Sequence, residues 1–136
     1  MRGLRGRDAD LGADGLDLVD VLWALRCWAR LDDSDFRKNH PRFTGENLQR
    51  NVRLADQVQA IADQVGVTSA QVALAWLLAQ GDDILPIPGT KRVNRVEENV
   101  TADTVTLTAE QIAALTALPV AEGGHHADEQ MRFIER

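Results

Sequence analysis

Apolar residues recur every three or four positions along the chain after residue 45, which is the spacing of a helix with one buried face. The first such run places six apolar side chains on one face: Leu48, Val52, Ala55, Val58, Ile61 and Val65. Gly66 follows and supplies the left-handed residue that commonly ends a helix. The pattern therefore predicts a helix over about 45–65 that buries this face.

Two Thr-x-x-Gln sequences mark the starts of two further helices. Thr68–Gln71 and Thr108–Gln111 each match a capping box, in which the Thr and Gln side chains satisfy amides of the first turn. The helix expected after the first box, residues 69–80, is apolar on nearly every side and should be buried, with Gly81 ending it. The helix after the second box has three apolar positions and a proline stop: Ile112, Leu115, Leu118 and Pro119.

A short apolar run and a short amphipathic stretch lie between these helices. Ile84–Ile87 is predicted as a buried strand that ends near Pro86, because proline cannot donate to a central ladder. Pro88–Gly89 predicts a turn, and a short helix is expected from three valines: Val93, Val96 and Val100. A lone strand forms no stable sheet, so its partners should lie outside the chain or in residues 18–25.

The two ends of the chain have weaker patterns. Residues 1–15 are rich in Gly, Arg and Asp, whereas residues 16–31 have apolar positions at helical spacing. Polar residues over 32–44 predict a loop, and residues 120–136 show no firm pattern. We therefore expect residues 1–30 to be a divergent leader, either disordered or a short helix, before an organised part over 31–136.

Composition and charge limit the classes of function. The 136 residues are 44% hydrophobic and 26% charged, which is typical of one globular domain. The net charge of −6 argues against nucleic-acid binding, and no apolar run approaches the ~20 residues of a membrane helix. One cysteine, Cys27, excludes an internal disulfide, so a reducing cytoplasm is the simplest location.

Metal and phenol chemistry are also constrained. His125 and His126 stand beside Asp128, but adjacent residues rarely converge on one ion, so no metal site is assigned. The chain contains no Tyr, so it cannot by itself donate a proton from a phenol.

The segment that carries candidate chemistry is ILPIPGTKRVNRVEEN, residues 84–99. Thr90, Lys91 and Arg92 stand at the start of the short helix, where outward-pointing amides and nearby cations favour an anion. Arg95 comes four residues after Lys91 and so is expected on the same side of the helix.

The chemistry of the remaining side chains in this segment fits a nucleotide. A guanidinium such as that of Arg95 can fork a phosphate and stack on an adenine ring. Glu98 and Asn99, a turn later, could read the polar edge of a base. Spacing alone leaves two interpretations open, which are a phosphate-and-base site and a solvated helix start with ordinary surface charges.

The chain resembles the C-terminal part of bacterial aldo-keto reductases over about 31–136. The resemblance rests on residues 36–43, Gly45–Asn47, the ALAWLLAQ helix, and PIPGTKR followed by EEN. It implies an α/β fold in which this chain is a mainly helical, incomplete part of a (β/α)8 TIM barrel. It also implies the chemistry of that family, the reduction of carbonyls with NADPH, at the C-terminal mouth of the barrel.

The resemblance implies seven residues that bind NADP: Gly89, Thr90, Lys91, Arg92, Arg95, Glu98 and Asn99. The first four resemble the loop around the 2′-phosphate. Arg95 resembles the residue that pairs with this phosphate and stacks on the adenine, and Glu98 with Asn99 resembles the pair that hydrogen-bonds the adenine.

The family's catalytic Asp, Tyr, Lys and His have no counterpart here. There is no Tyr, and Lys38, Lys91 and the three histidines lie at other places in the pattern, so no catalytic residue is assigned. The chain alone is expected to be inactive. Two functions stay open: the NADP-binding part of an aldo-keto reductase, or a non-catalytic helical module that binds a partner, either the missing barrel half or a second copy.

Overall fold

A computed structural model of the chain describes residues 32–124. We label its α-helices α1 (Gly45–Val65), α2 (Ser69–Leu78), α3 (Val93–Thr101) and α4 (Ala109–Thr116). Short 3-10 helices occupy Phe36–Asn39, Pro41–Phe43 and Ala102–Thr104, so the loop predicted over 32–44 is partly helical. The predicted leader, the candidate helix over 16–31 and the tail from residue 125 lie outside the described residues.

Helix α1 begins and ends as predicted, and four predicted positions, Ala55, Val58, Ile61 and Val65, belong to the core or pack against it. The most buried face nevertheless differs in part from the predicted one. Gly66 has a φ of 78° and donates its N–H to the carbonyl of Ala62 at 2.8 Å, which ends the helix. The buried positions are Asn51, Leu54, Val58 and Ala62. Val52 is 39% exposed, because the polar Asn51 beside it turns inward and donates to the carbonyl of Arg42 at 2.9 Å.

Helix α2 is the centre of the core, as its all-round apolarity predicts. The six residues Val72–Leu77 are each at most 7% exposed, and all of them except Leu74 belong to the core cluster with apolar residues of α1 and α4. Trp76 places its ring in the core and donates its indole N–H to Thr116 Oγ1 at 3.0 Å. Burial of each large apolar side chain contributes about 1.5–3 kcal/mol, so this helix supplies much of the stabilisation.

The limits of α2 and α4 differ slightly from the predicted limits. Both predicted capping boxes are present, at Thr68–Gln71 and at Thr108–Gln111. Helix α2 ends at Leu78, before Gly81, and α4 ends at Thr116, before Pro119. Each end is a tightened last turn in which the backbone N–H of the capping residue bonds a carbonyl of the preceding turn.

The predicted strand at Ile84–Ile87 is wrong for this structure. The segment is neither strand nor helix, and Leu85 and Ile87 are 83% and 87% exposed. No other described segment is a strand, so this run has nothing to pair with within residues 32–124. The turn predicted at Pro88–Gly89 is also absent, and the chain bends at Lys91 instead.

Within residues 32–124, no single helix is long and apolar enough to cross a membrane. The pair α1 and α2 together reaches the necessary length and composition, but the two helices are bent by 88° at the break between them.

Candidate functional site

The four residues expected to surround a phosphate form the exposed approach to α3. Thr90 Oγ1 accepts a hydrogen bond from the backbone N–H of Arg92 at 3.2 Å, which fixes the turn into the helix. Arg92 is the N-cap residue of α3, and no side chain caps this helix. Its first amides therefore remain available to an outside acceptor. A Cβ built at Gly89 would meet nothing within 4 Å, so the space around this residue is open.

Lys91 and Arg92 are exposed cations at the positive end of the helix dipole. Among residues 32–124, neither of them forms an ion pair with a carboxylate. Lys91 precedes the first helical residue, so the four-residue spacing to Arg95 does not place the two on one helix face as the sequence had indicated. Lys91 lies in the loop before α3, and Arg95 lies on the helix itself.

Arg95 is paired within α3. Its guanidinium Nη1 bonds Glu98 Oε2, and the two side chains are 43% and 16% exposed respectively. A guanidinium carries five N–H groups, so this pair leaves donors for a phosphate. The half-exposed position keeps the outer side of Arg95 open to a ligand.

Glu98 is in turn held by the start of α2. Its Oε1 accepts from Thr68 Oγ1 at 2.7 Å, and its backbone carbonyl accepts from Gln71 Nε2 at 3.1 Å. Gln71 Nε2 also donates to Thr101 Oγ1 at 2.7 Å. Sequence reasoning missed the part that Thr68 and Gln71 play here, because the capping box alone accounts for both residue types. Asn99, the last of the predicted residues, is half-buried beside Glu98.

The segment that contains the candidate site also carries exposed apolar side chains. We call this set the apolar flank: Leu85, Ile87, Val93, Val96 and Val100, which are between 48% and 87% exposed. Helix α3 has no buried residue at all. The described residues do form two shallow grooves of about 220 and 250 Å³, but neither is lined by any residue from 84 to 99. Among residues 32–124, these five apolar side chains therefore remain exposed beside the phosphate-binding candidates in the sequence.

The part of the chain that the structure describes contains no set of side chains suited to binding a metal ion. Residues 32–124 contain no group of three or more His, Cys, Asp or Glu side chains that could hold an ion. The pair His125–His126 lies outside these residues.

Comparison with known proteins identifies the family. The Aldo/keto reductase family pattern matches residues 24–119, well over half of the chain. Aldo-keto reductase yakc of Schizosaccharomyces pombe, whose name includes NADP(+), is 54% identical over 67 residues, covering 49% of this chain and 20% of that protein. Aldo-keto reductase str7 of Strobilurus tenacellus is 39% identical over 87 residues, covering 64% of this chain and 26% of that protein. No solved structure matches the chain.

The chain therefore belongs to the aldo/keto reductase family, which confirms the family part of the resemblance. Membership implies the (β/α)8 barrel of the family, and the strand-free helical part described here is consistent with a fragment of such a barrel. Both relatives come from fungi and so do not support the bacterial part of the resemblance. The chain spans about a quarter or less of the length of these relatives.

Proposed function

We propose that residues 89–99 bind the adenosine 2′-phosphate end of NADP(H), as part of an NADP-dependent aldo-keto reductase. The observation that carries this proposal is the meeting of three features at one point. Lys91 and Arg92 are exposed, the start of α3 is uncapped, and Arg95 stands one turn further along the helix. The name of the S. pombe relative supports NADP as the cofactor of the family.

Each part of this surface has a physical task in holding a phosphate. The first amides of α3 donate to phosphate oxygens, and the helix dipole adds about 0.3–1 kcal/mol for a nearby anion. Lys91 supplies a compact charge, while Arg95 offers two parallel donors and a flat face for the adenine. The 2′-phosphate distinguishes NADP from NAD, so these three contributions also favour NADP over NAD.

Carbonyl reduction belongs, on this proposal, to the intact family enzyme and not to these 136 residues alone. The bound nicotinamide supplies the hydride, and the family pattern needs a Tyr that this chain lacks. The purified chain, mixed with NADPH and an aldehyde, should leave the NADPH absorbance unchanged. Aldehyde-dependent loss of that absorbance would overturn this part of the proposal.

Calorimetric titration with NADP⁺ tests the cofactor proposal directly. Arg95→Ala should weaken binding about tenfold or more, since charge-assisted hydrogen bonds contribute about 1.5–3 kcal/mol. Arg53→Ala is the matched control, because Arg53 is an exposed arginine on α1 and not part of residues 89–99. A wild-type chain that is helical by circular dichroism and does not bind NADP⁺ would overturn the proposal.

A second candidate function is favoured by the apolar flank. Contiguous exposed apolar surface often marks a site of protein association. We propose that the rest of a split barrel covers this flank, because the relatives contain several times more chain than the matched region. Under this proposal residues 31–136 are the C-terminal part of the barrel. The single cysteine of the chain supports assembly in the reducing cytoplasm.

Light scattering and dye binding test the partner proposal. The chain alone should bind a dye for exposed apolar surface, and the unmatched part of the S. pombe relative should suppress that binding when mixed in. A stable dimer of the chain that binds no dye would show a second copy as the occupant. A monomer without dye binding would overturn the association proposal altogether.

A further inference from the structure

Thr68 has two hydrogen-bond partners that lie on different helices. Its Oγ1 accepts from the backbone N–H of Gln71 at 3.2 Å, which is the N-cap bond of α2. The same oxygen donates to Glu98 Oε1 on α3 at 2.7 Å. A hydroxyl has one proton, so the donor capacity of Thr68 is directed to Glu98 and the acceptor capacity to its own helix.

Glu98 connects Thr68 to Arg95 through its two carboxylate oxygens. One carboxylate oxygen accepts from Thr68 and the other bonds the Arg95 guanidinium, so both oxygens have partners within the protein. Glu98 is held more deeply than Arg95, with side-chain exposures of 16% and 43%. The half-buried Thr68 at the start of α2 therefore orients the half-exposed Arg95 through an intervening carboxylate. Gln71 reinforces the contact by donating to the Glu98 carbonyl.

We infer that Thr68 is a positioning residue for cofactor binding, which it serves by holding Glu98 and thereby the guanidinium of Arg95. The inference rests on the proposed NADP function. The resemblance implies that the Glu98 carboxylate hydrogen-bonds the adenine. The inference adds a second role, in which the same carboxylate orients the phosphate-binding Arg95. A long side chain that is ordered before binding loses less conformational entropy when the ligand arrives.

The chain contains a matched control for this inference. Thr108 caps α4 with the same geometry, since its Oγ1 accepts from the N–H of Gln111 at 3.2 Å. No bond joins Thr108 to α3. Thr68→Val and Thr108→Val therefore each remove one helix cap, whereas only the first also releases Glu98.

The first measurement is the mobility of the Arg95 side chain in the ligand-free chain, by NMR relaxation of its Nε–H. Thr68→Val should increase this mobility, and Thr108→Val and Thr68→Ser should not, because Ser keeps both bonds of Thr68. If Thr68→Val does not fold, Thr68→Asp replaces it. An ionised Asp caps a helix but cannot donate to Glu98. Unchanged Arg95 mobility in the folded variant would overturn the inference.

The second measurement is the affinity for NADP⁺ by calorimetry. Thr68→Val should weaken binding roughly twofold to tenfold, which is the effect of immobilising one long side chain on binding. Thr108→Val and Thr68→Ser should bind as the wild type does. Equal losses in Thr68→Val and Thr108→Val would overturn the inference and leave the cofactor proposal standing. A folded wild type that does not bind NADP⁺ would overturn the cofactor proposal, and with it the role of Thr68 in cofactor binding. The Arg95 mobility would still show whether Thr68 orients the Arg95 side chain.

Discussion

Asn51 and Glu122, which are 71 positions apart in the chain, exchange a reciprocal pair of hydrogen bonds. Asn51 Nδ2 donates to the Glu122 carbonyl at 2.9 Å, and the Glu122 N–H donates to Asn51 Oδ1 at 2.8 Å. The carboxamide thus acts as a peptide group would in a strand pair. It is 1% exposed and also bonds the carbonyl of Arg42, so the segment after α4 is fastened to α1.

Replacing this carboxamide should destabilise the fold. Asn51→Ala removes three hydrogen bonds at a buried position, and we expect the free energy of unfolding to fall by about 2–4 kcal/mol. Asn47→Ala is the control, because Asn47 makes one partly buried bond, to the carbonyl of Pro41 at 3.0 Å. Urea unfolding followed by circular dichroism measures both. A loss in Asn51→Ala no larger than that in Asn47→Ala would contradict the expectation.

Gly123 should tolerate no side chain. Its φ is +97°, and a Cβ there would lie 2.9 Å from backbone atoms of Pro41 and Arg42. Its carbonyl also accepts from Arg42 Nε at 2.9 Å, a bond that the shifted backbone would lose. Gly66 has a similar φ of +78° but open space around it. Gly66→Ala should therefore reduce stability by about 1–2 kcal/mol from strain alone.

Gly123→Ala should reduce stability further than Gly66→Ala does, since backbone must move as well. Thermal unfolding of the two variants side by side measures the difference. Equal midpoints would show that the contact between residues 41–42 and Gly123 is looser than the structure has it.

Acid should weaken the start of α4. The Glu110 carboxylate accepts hydrogen bonds from its own backbone N–H and from the Thr108 hydroxyl, which lower the pKa of Glu110 below its ordinary value. A group whose pKa is lower in the folded chain stabilises it fully above the unfolded pKa, about 4.3 for Glu, and this contribution is lost as the pH falls through the folded value.

Glu110→Gln should therefore reduce the loss of helicity between about pH 4.5 and lower values, measured by circular dichroism. The decrease of helicity with falling pH should become shallower in this variant, but it should not disappear. The Ser34 side chain lowers the pKa of Asp32, and the bond from Lys38 lowers the pKa of Asp33, so both act in the same direction. An acid transition identical to that of the wild type would count against a folded-state bond to Glu110.

The apolar flank should control the tendency of the chain to associate. Ile87→Ser combined with Val100→Ser changes two side chains that are 87% and 66% exposed, so folding stability should change by less than about 0.5 kcal/mol for each. Dye binding and light scattering at high concentration should both decrease. Val72→Ser is the contrasting variant, because Val72 is fully buried and its substitution should unfold the chain. Unchanged association of the double variant would show that a surface other than the apolar flank causes the association.

Local signals of the helices were predictable from the sequence, whereas long-range polar contacts were not. The Thr68 and Thr108 boxes and the Gly66 cap depend on residues within four positions, so the chain alone specifies them. The strand at Ile84–Ile87 failed because a strand exists only with a neighbour, and the described residues supply none. The burial of Asn51 gives no signal in periodicity, since its partner Glu122 lies 71 positions away.

In the candidate site, too, local features were predictable and long-range contacts were not. Its positions along α3 followed from the family pattern, and the structure places Arg92 at the helix start as expected. The bond from Thr68 to Glu98 joins residues 30 positions apart and gives no signal in composition or spacing.

The contacts of residues 122 and 123 with Arg42 and Asn51 have a consequence for engineering. They bring the two ends of the segment 42–123 to one corner of the fold. A segment whose ends meet can be inserted into a surface loop of a host protein, or cut and rejoined in a new order, without a long linker. The segment that contains these four helices is therefore suited to insertion into another protein as a single unit.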